Sequence, residues 1–267
     1  MMGLNRFSRN ELLLGLEGQS KLNRSSVAII GLGGVGSYVA EALCRAGVGH
    51  LTIVDFDDIC LTNVNRQLHA LDGTVGLSKA SVMAQRLNLI NPDAEVVPLK
   101  EFYSAESSNY LFSRKFDYVV DAIDHFTSKV HLVVTCLNHG IPVVSSMGAA
   151  NKLDPSRIKV ADISNTHTCR MARSFRKLLK KEGVADGVKV VFSTEEFKPL
   201  EVRNSGCKED CICPNRGSQQ FSCEHRRVVL GSISYLPGIF GLTMAGVVVN
   251  DLLAATKLHE ERLTAVL

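Results

Sequence analysis

The sequence predicts an α/β protein built on a doubly wound, mostly parallel sheet with helices on both faces and an elaborated C-terminal half. Three observations predict it. Short apolar, β-branched runs alternate with helix-period segments over residues 1–150. A glycine-rich turn, Gly31-Leu32-Gly33-Gly34-Val35-Gly36, joins the first of these runs to a helical segment. An acid, Asp55, closes the next run 19 residues after Gly36.

The elements follow in order. Residues 26–30 read as a buried strand that ends in glycine, and 35–46 as a helix stopped by Gly47. A second strand covers 51–54, and a helix covers 78–90 with Asn91-Pro92 as its stop signal. Strands are expected at 95–98, 118–121 and 143–146, with a helix at 127–139. Past residue 150 the pattern loosens into strands at 157–163 and 188–192 around a helix at 167–181, closed by Gly183. A cysteine-rich loop then covers 204–226, before a C-terminal helix at 239–257. Residues 228–250 lack charge and match a bilayer in length. Pro237 and four glycines interrupt them, so a buried strand–loop–helix is expected and a membrane contact is not.

Composition narrows the class. With 45% apolar and 21% charged residues the chain is neither disordered nor fibrous, and 267 residues suffice for a single domain over 1–267. A net charge of +3 neither demands nor excludes an acidic partner. The N-terminus has no continuous apolar stretch of the kind that directs secretion, so a reducing cytoplasm is expected for the eight cysteines. Cys44, Cys60, Cys136 and Cys169 read as core positions.

The glycine turn carries the first chemistry. Gly31, Gly33, Gly34 and Gly36 permit a tight, Rossmann-like turn whose N–H groups face phosphate oxygens at a helix N-terminus. Asp55 stands where a carboxylate bonds ribose hydroxyls. Arg66, within Asn63-Val64-Asn65-Arg66-Gln67, offers a guanidinium fork to phosphates, and Lys79 a point charge. Asp124 follows an apolar strand at the end where ligands of such sheets gather, a position suited to Mg²⁺. Singly, each has a plain reading: solvated charges for Arg66 and Lys79, and a helix N-cap for Asp124. Together they favour a cleaved triphosphate over a redox dinucleotide.

These residues resemble a known family. Gly31–Gly36, Asp55-Phe56-Asp57, Asn63–Gln67, Lys79 and Asp121–Asp124 are similar to the adenylation domain of the ubiquitin-activating-enzyme superfamily, with its molybdopterin and thiamine sulfur-carrier activating members. Further blocks resemble the tRNA threonylcarbamoyladenosine dehydratase family within it: Asn65–Ala70, Val75–Ala80, Asp154-Pro155-Ser156 and Val191–Glu195. The resemblance implies ATP and Mg²⁺ as cofactors, and a tRNA carrying threonylcarbamoyladenosine as substrate. It implies acyl-adenylate formation, then ring closure with net loss of water. It casts Arg66, Lys79 and Asp124 as catalytic groups, with Asp55, Asp57 and Asn63 beside the glycines around the nucleotide. Arg6-Phe7-Ser8-Arg9 looks like the superfamily's N-terminal arginine motif, which implies a homodimer with Arg9 acting in trans. Sulfur-transfer proteins are further expected partners.

Other readings share parts of this pattern. Adenylation of a ubiquitin-like sulfur carrier uses the same nucleotide residues. An NAD-dependent oxidoreductase uses the same turn, yet leaves Arg66, Lys79 and Asp124 without a role. A binding module without catalysis does not account for the full set of triphosphate groups.

Two features lie outside the nucleotide motifs. Arg170, Arg173, Arg176, Lys177, Lys180 and Lys181 crowd one predicted helix that carries no acid, opposite an apolar stripe of Met171, Phe175 and Leu178. Like charges at that spacing repel, so phosphate-backbone binding competes with the plain reading of a solvated face. Cys207, Cys211, Cys213 and Cys223 cluster near His225. A structural zinc is the leading reading; an iron–sulfur cluster, reduced surface thiols and redox or sulfur-relay chemistry stay open.

Overall fold

The computed structural model describes residues 4–197 and 230–264. Among them seven strands form one sheet in the order β3-β2-β1-β4-β5-β7-β6. These are β1 (Ser26–Ile30), β2 (His50–Val54), β3 (Glu95–Leu99), β4 (Tyr118–Asp121), β5 (Val143–Ser146), β6 (Ile158–Asp162) and β7 (Lys189–Ser193). All neighbours pair in parallel except β6, which runs antiparallel to β7 at the edge. The doubly wound α/β expectation is met.

Alternation along β1 explains the layers. Val27 and Ile29 point to one face, Ala28 and Ile30 to the other, and each pair joins a separate apolar cluster. The first face is covered by α1 (Ser8–Arg24), α2 (Gly36–Ala46), α3 (Lys79–Ile90) and α7 (Leu236–Thr264). The second is covered by α4 (Ala105–Phe112), α5 (Phe126–Asn138) and α6 (Arg170–Lys181).

Helix α7 is long and apolar enough to cross a membrane over Leu236–Ala254, yet half of that stretch is buried in the fold. Leu236, Phe240, Met244, Val248 and Leu252 recur every four residues, a single stripe laid on α2 and the sheet. Gly241 permits the approach, because a Cβ there would lie 2.8 Å from the Tyr38 Cβ. Helix α7 starts three residues earlier than expected because Pro237 sits in its first turn, where no intrahelical donor is lost. At the opposite end of the sheet from the glycine turn, Asp251 accepts from the Tyr118 hydroxyl at 2.8 Å and from Lys189 Nζ at 2.6 Å. That links α7 to the starts of β4 and β7.

Two helices carry no clear sequence signal. Helix α1 contains Gly15 in the left-handed region (φ 73), which kinks it and blurs its period. Helix α4 is only eight residues long. Helix α6 begins at Arg170 and not at 167, because Thr168 adopts φ 63 and Cys169 takes the N-cap position. Its buried stripe is Ala172, Phe175 and Leu179, shifted from the expected Met171, Phe175 and Leu178. The cysteine-rich loop 204–226, with Cys207, Cys211, Cys213 and Cys223, lies outside the described residues.

Candidate active site

Strand order reverses between β1 and β4, so the loops after these two strands face each other across a crevice at the sheet's carboxyl edge. The glycine turn leaves β1 and the Asp121–Asp124 loop leaves β4. They touch at Gly31: its φ is +94, and a Cβ there would sit 2.7 Å from the Ala122 carbonyl oxygen. The Ala122 N–H in turn donates to Ile30 O at 2.9 Å. Gly36 opens α2 directly over Gly31, and a Cβ there would overlap the Gly31 carbonyl. Gly33 has open space beside it, with Gln67 Nε2 nearest at 4.0 Å. At Gly34 a Cβ would meet Pro237 at 3.0 Å and the Arg66 stem at 3.2 Å. A cradle that side chains would fill, at the positive end of α2, suits a phosphate chain.

Asp55 is buried at the end of β2. Its Oδ2 accepts from Leu32 N at 2.6 Å and its Oδ1 from Asp57 N at 2.9 Å, so the carboxylate braces the turn it is expected to serve. Burial pushes its carboxyl above the usual carboxylate range, against the opposing pull of Lys79. Lone pairs remain on those oxygens for ribose hydroxyls. Asp58 bridges to Ser78 in antiparallel fashion, which brings Lys79 alongside Asp57. Lys79 Nζ then donates to Asp57 Oδ2 at 2.7 Å, with its side chain 7% exposed. An ammonium has three protons, so Lys79 can hold Asp57 and still reach a phosphate.

The 61–70 segment presents Arg66. Asn63 is buried; its Oδ1 accepts from Cys60 N at 3.0 Å and its carbonyl from Arg66 N and Gln67 N. It shapes the turn from beneath. Arg66 NH1 donates to Thr62 O at 2.8 Å and Asn65 Oδ1 at 3.0 Å, and the stem lies along Gly34. Asn65 Nδ2 donates to Ser232 O, tying this segment to the chain just ahead of α7.

Asp124 is exposed at the crevice mouth. It does not cap α5. That role falls to His125, whose Nδ1 accepts from Ser128 N. A solvent-facing carboxylate beside the glycine turn fits a hard divalent cation. Among the described residues no cluster of three or more His, Cys, Asp or Glu side chains is present to hold a metal.

Several residues near the site escaped the sequence reading. Asp121 and Lys129 form an ion pair at 2.8 Å with both side chains wholly buried. Gln67 and His69 are buried beneath the turn, and neither ring nitrogen of His69 has a hydrogen-bond partner among the described residues. Burial, reinforced by the charges of Lys79 and Arg86, pushes that imidazole down to about 3, so it is neutral at neutral pH.

Helix α6 reaches the same rim, since Met171 packs 3.5 Å from where a Gly148 Cβ would be. Arg170, Arg173, Lys177, Lys180 and Lys181 are exposed. Arg170 lies over the Phe197 ring at 3.9 Å. Arg176 departs from the expected basic stripe: its NH1 donates to Ile163 O at 3.1 Å and to Thr166 O at 2.9 Å. It docks the helix onto the chain ahead of it. Two of the blocks that resemble the dehydratase family, residues 154–156 and 191–195, meet in space. The Glu195 carboxylate accepts from Leu153 N and Asp154 N, both at 2.9 Å. Arg9 is exposed on α1, on the same helix as Leu12 and Leu13.

A model of the ThiF family matches residues 7–265. The chain belongs to the ThiF family. Within that family it is 47% identical over 250 residues to the tRNA threonylcarbamoyladenosine dehydratase of Bacillus subtilis, covering 94% of this chain and 95% of the relative. It is 40% identical over 197 residues to the dehydratase of Escherichia coli, covering 71% and 74% of the two chains. The solved structure of the E. coli tRNA N6-threonylcarbamoyladenosine dehydratase in complex with ATP superimposes with a TM-score of 0.80. That pair shares 32% identity over 94% of this ThiF-family chain and 95% of the other.

Proposed function

We propose that this chain is an ATP-dependent dehydratase of threonylcarbamoyladenosine in tRNA. The observation that carries the reading is the meeting of the glycine turn with the Asp121–Asp124 loop, flanked by Arg66 and Lys79. A dinucleotide carrier needs no such cations. The likeness to proteins named for this activity supports the substrate.

A carboxylate is a poor electrophile because oxide would have to leave. Attack of the substrate carboxylate oxygen on the α-phosphorus forms an acyl-adenylate and breaks the bond to the β-phosphate. Pyrophosphate departs carrying the charge of two phosphates. The N–H groups at the start of α2 and the Arg66 and Lys79 cations act on that charge, so the step is chiefly positioning and electrostatics. Asp124 would hold Mg²⁺, which supplies further neutralisation of phosphate oxygens when bound. Asp55 orients the ribose, with Asp57 and Asn63 holding Lys79 and the Arg66 turn. A nucleophile on the modified base then attacks the acyl carbon and AMP leaves, closing the ring with net loss of one water. The attacking group of that step lies on the substrate itself, and among the described residues Cys44, Cys60, Cys136 and Cys169 are all buried.

The whole chain acts as a single adenylating domain in the cytoplasm, as a homodimer. Leu12 and Leu13 of α1 are 89% and 85% exposed beside Arg9, an apolar face suited to a second copy that would carry Arg9 to its neighbour's nucleotide. The exposed cations of α6 face the tRNA backbone. Charge reversal at Arg173 and Lys177 is expected to weaken tRNA binding and flatten its dependence on salt; unchanged titrations at two ionic strengths would leave α6 a solvated face.

Mass spectrometry of tRNA nucleosides after incubation with the protein and ATP tests the whole reading. The expected product is lighter by one water. AMP transfer to a sulfur-carrier C-terminus, with tRNA unaltered, would replace it with the sulfur-carrier reading.

A further inference from the structure

The clamp between Asp121 and Lys129 has a consequence for Asp124. Asp121 Oδ1 accepts from the Ile123 N–H at 3.1 Å. Its Oδ2 accepts from Ser145 Oγ at 2.5 Å and from Lys129 Nζ at 2.8 Å. Lys129 Nζ also donates to the Ile123 carbonyl at 3.0 Å. One ion pair therefore grips residue 123 at both its N–H and its C=O. The Ile123 carbonyl belongs to the peptide plane that carries the Asp124 N–H, so its orientation sets where Asp124 leaves the main chain. One residue earlier, Ala122 is registered against Gly31 and Ile30. Ala122 and Ile123 are thus fixed against the protein, and the next residue, Asp124, faces solvent.

The environment makes the grip strong. Both charged side chains are 0% exposed, and the Phe175 ring of α6 lies 5.7 Å from Lys129 Nζ. Removing two charges from water costs more than burying a hydrophobic pair of the same size, so such a pair is a weak stabilising device by itself. Its hydrogen bonds converge on the one loop that presents the crevice carboxylate. We infer, resting on the adenylation reading above, that the Asp121–Lys129 pair is a positioning device that holds Asp124 at the working distance from the glycine turn. Neither residue touches the nucleotide; both act through the Ile123 peptide.

The test replaces the pair together, Asp121→Asn with Lys129→Met, since either change alone strands a buried charge. The side-chain carbonyl introduced by Asp121→Asn still accepts from Ile123 N, while Lys129→Met leaves the Ile123 carbonyl without its partner. Two readouts are taken on the full chain: ATP binding with and without Mg²⁺, and pyrophosphate release with tRNA present. The pair variant is expected to bind ATP normally without metal, to lose the extra affinity that Mg²⁺ confers, and to drop about 100-fold in kcat with KM for ATP unchanged. Ser145→Ala is the structural control. It removes a bond to the same carboxylate but leaves Ile123 held, so it should lower Tm without moving either readout. Should the pair variant fail to fold, Lys129→Arg keeps the charge while moving its donors, and the same two readouts should shift in the same direction. Undiminished Mg²⁺-dependent affinity and kcat in the folded variant would overturn the inference while leaving the adenylation reading intact. A wild-type chain that releases no pyrophosphate would sink both.

Discussion

Asp124→Ala and Arg66→Ala are each expected to slow pyrophosphate release from ATP by about 100-fold or more while the protein melts within a few degrees of wild type. The magnitude follows from removing one preorganised charge aimed at a developing one. The small effect on stability follows from placement. Asp124 is exposed at the crevice mouth, and Arg66 bonds its own segment through Thr62 and Asn65. Surface changes of this kind rarely cost much folding free energy. Steady-state release assays run beside calorimetry separate the two quantities. Wild-type rates in either variant would remove that residue from the chemistry, and a collapse in melting temperature would recast it as a structural group.

Gly36→Ala should act in the opposite way, through the fold of the turn. A methyl group there has nowhere to go, because the space is filled by the Gly31 carbonyl, and Gly31 itself is pinned against Ala122. The backbone must open, at a cost on the order of 3 kcal/mol, and ATP binding should fall below detection. The effect is steric and not conformational, since only Gly31 of the turn glycines adopts a positive φ. Gly33→Ala is the matched control for stability alone, because no protein atom crowds the space beside it. Denaturant titration of both variants is the check: a Gly36→Ala protein as stable as Gly33→Ala would refute the steric account.

Much of this was legible in the sequence because it depends on local rules. The β-branched runs, the glycine turn and Asp55 are each specified within a few residues, whereas the strand order, with β6 antiparallel at the edge beyond β7, is not. What stayed hidden depends on contacts far apart in the chain. Lys129 reads as an ordinary helix lysine, and only the folding of α5 onto β4 and β5 buries its charge against Asp121. Arg176 counts as one more cation of a basic face until the turn residues Ile163 and Thr166 fold back to accept from it. Asp124 was open to reading as a helix cap, since His125 competes for that role and nothing in the residue types decides between them. Helix α1 escaped because a mid-helix glycine with φ 73 erases the period that a pattern search requires.

The bracket formed by Tyr118, Lys189 and Asp251 sits at the far pole of the sheet from the crevice. Anchoring β4 and β7 at that pole leaves their other ends free to carry chemistry without also having to hold the molecule shut. Evolution, or a designer, can therefore rework the loops at one pole and tune robustness at the other, with little interference between the two.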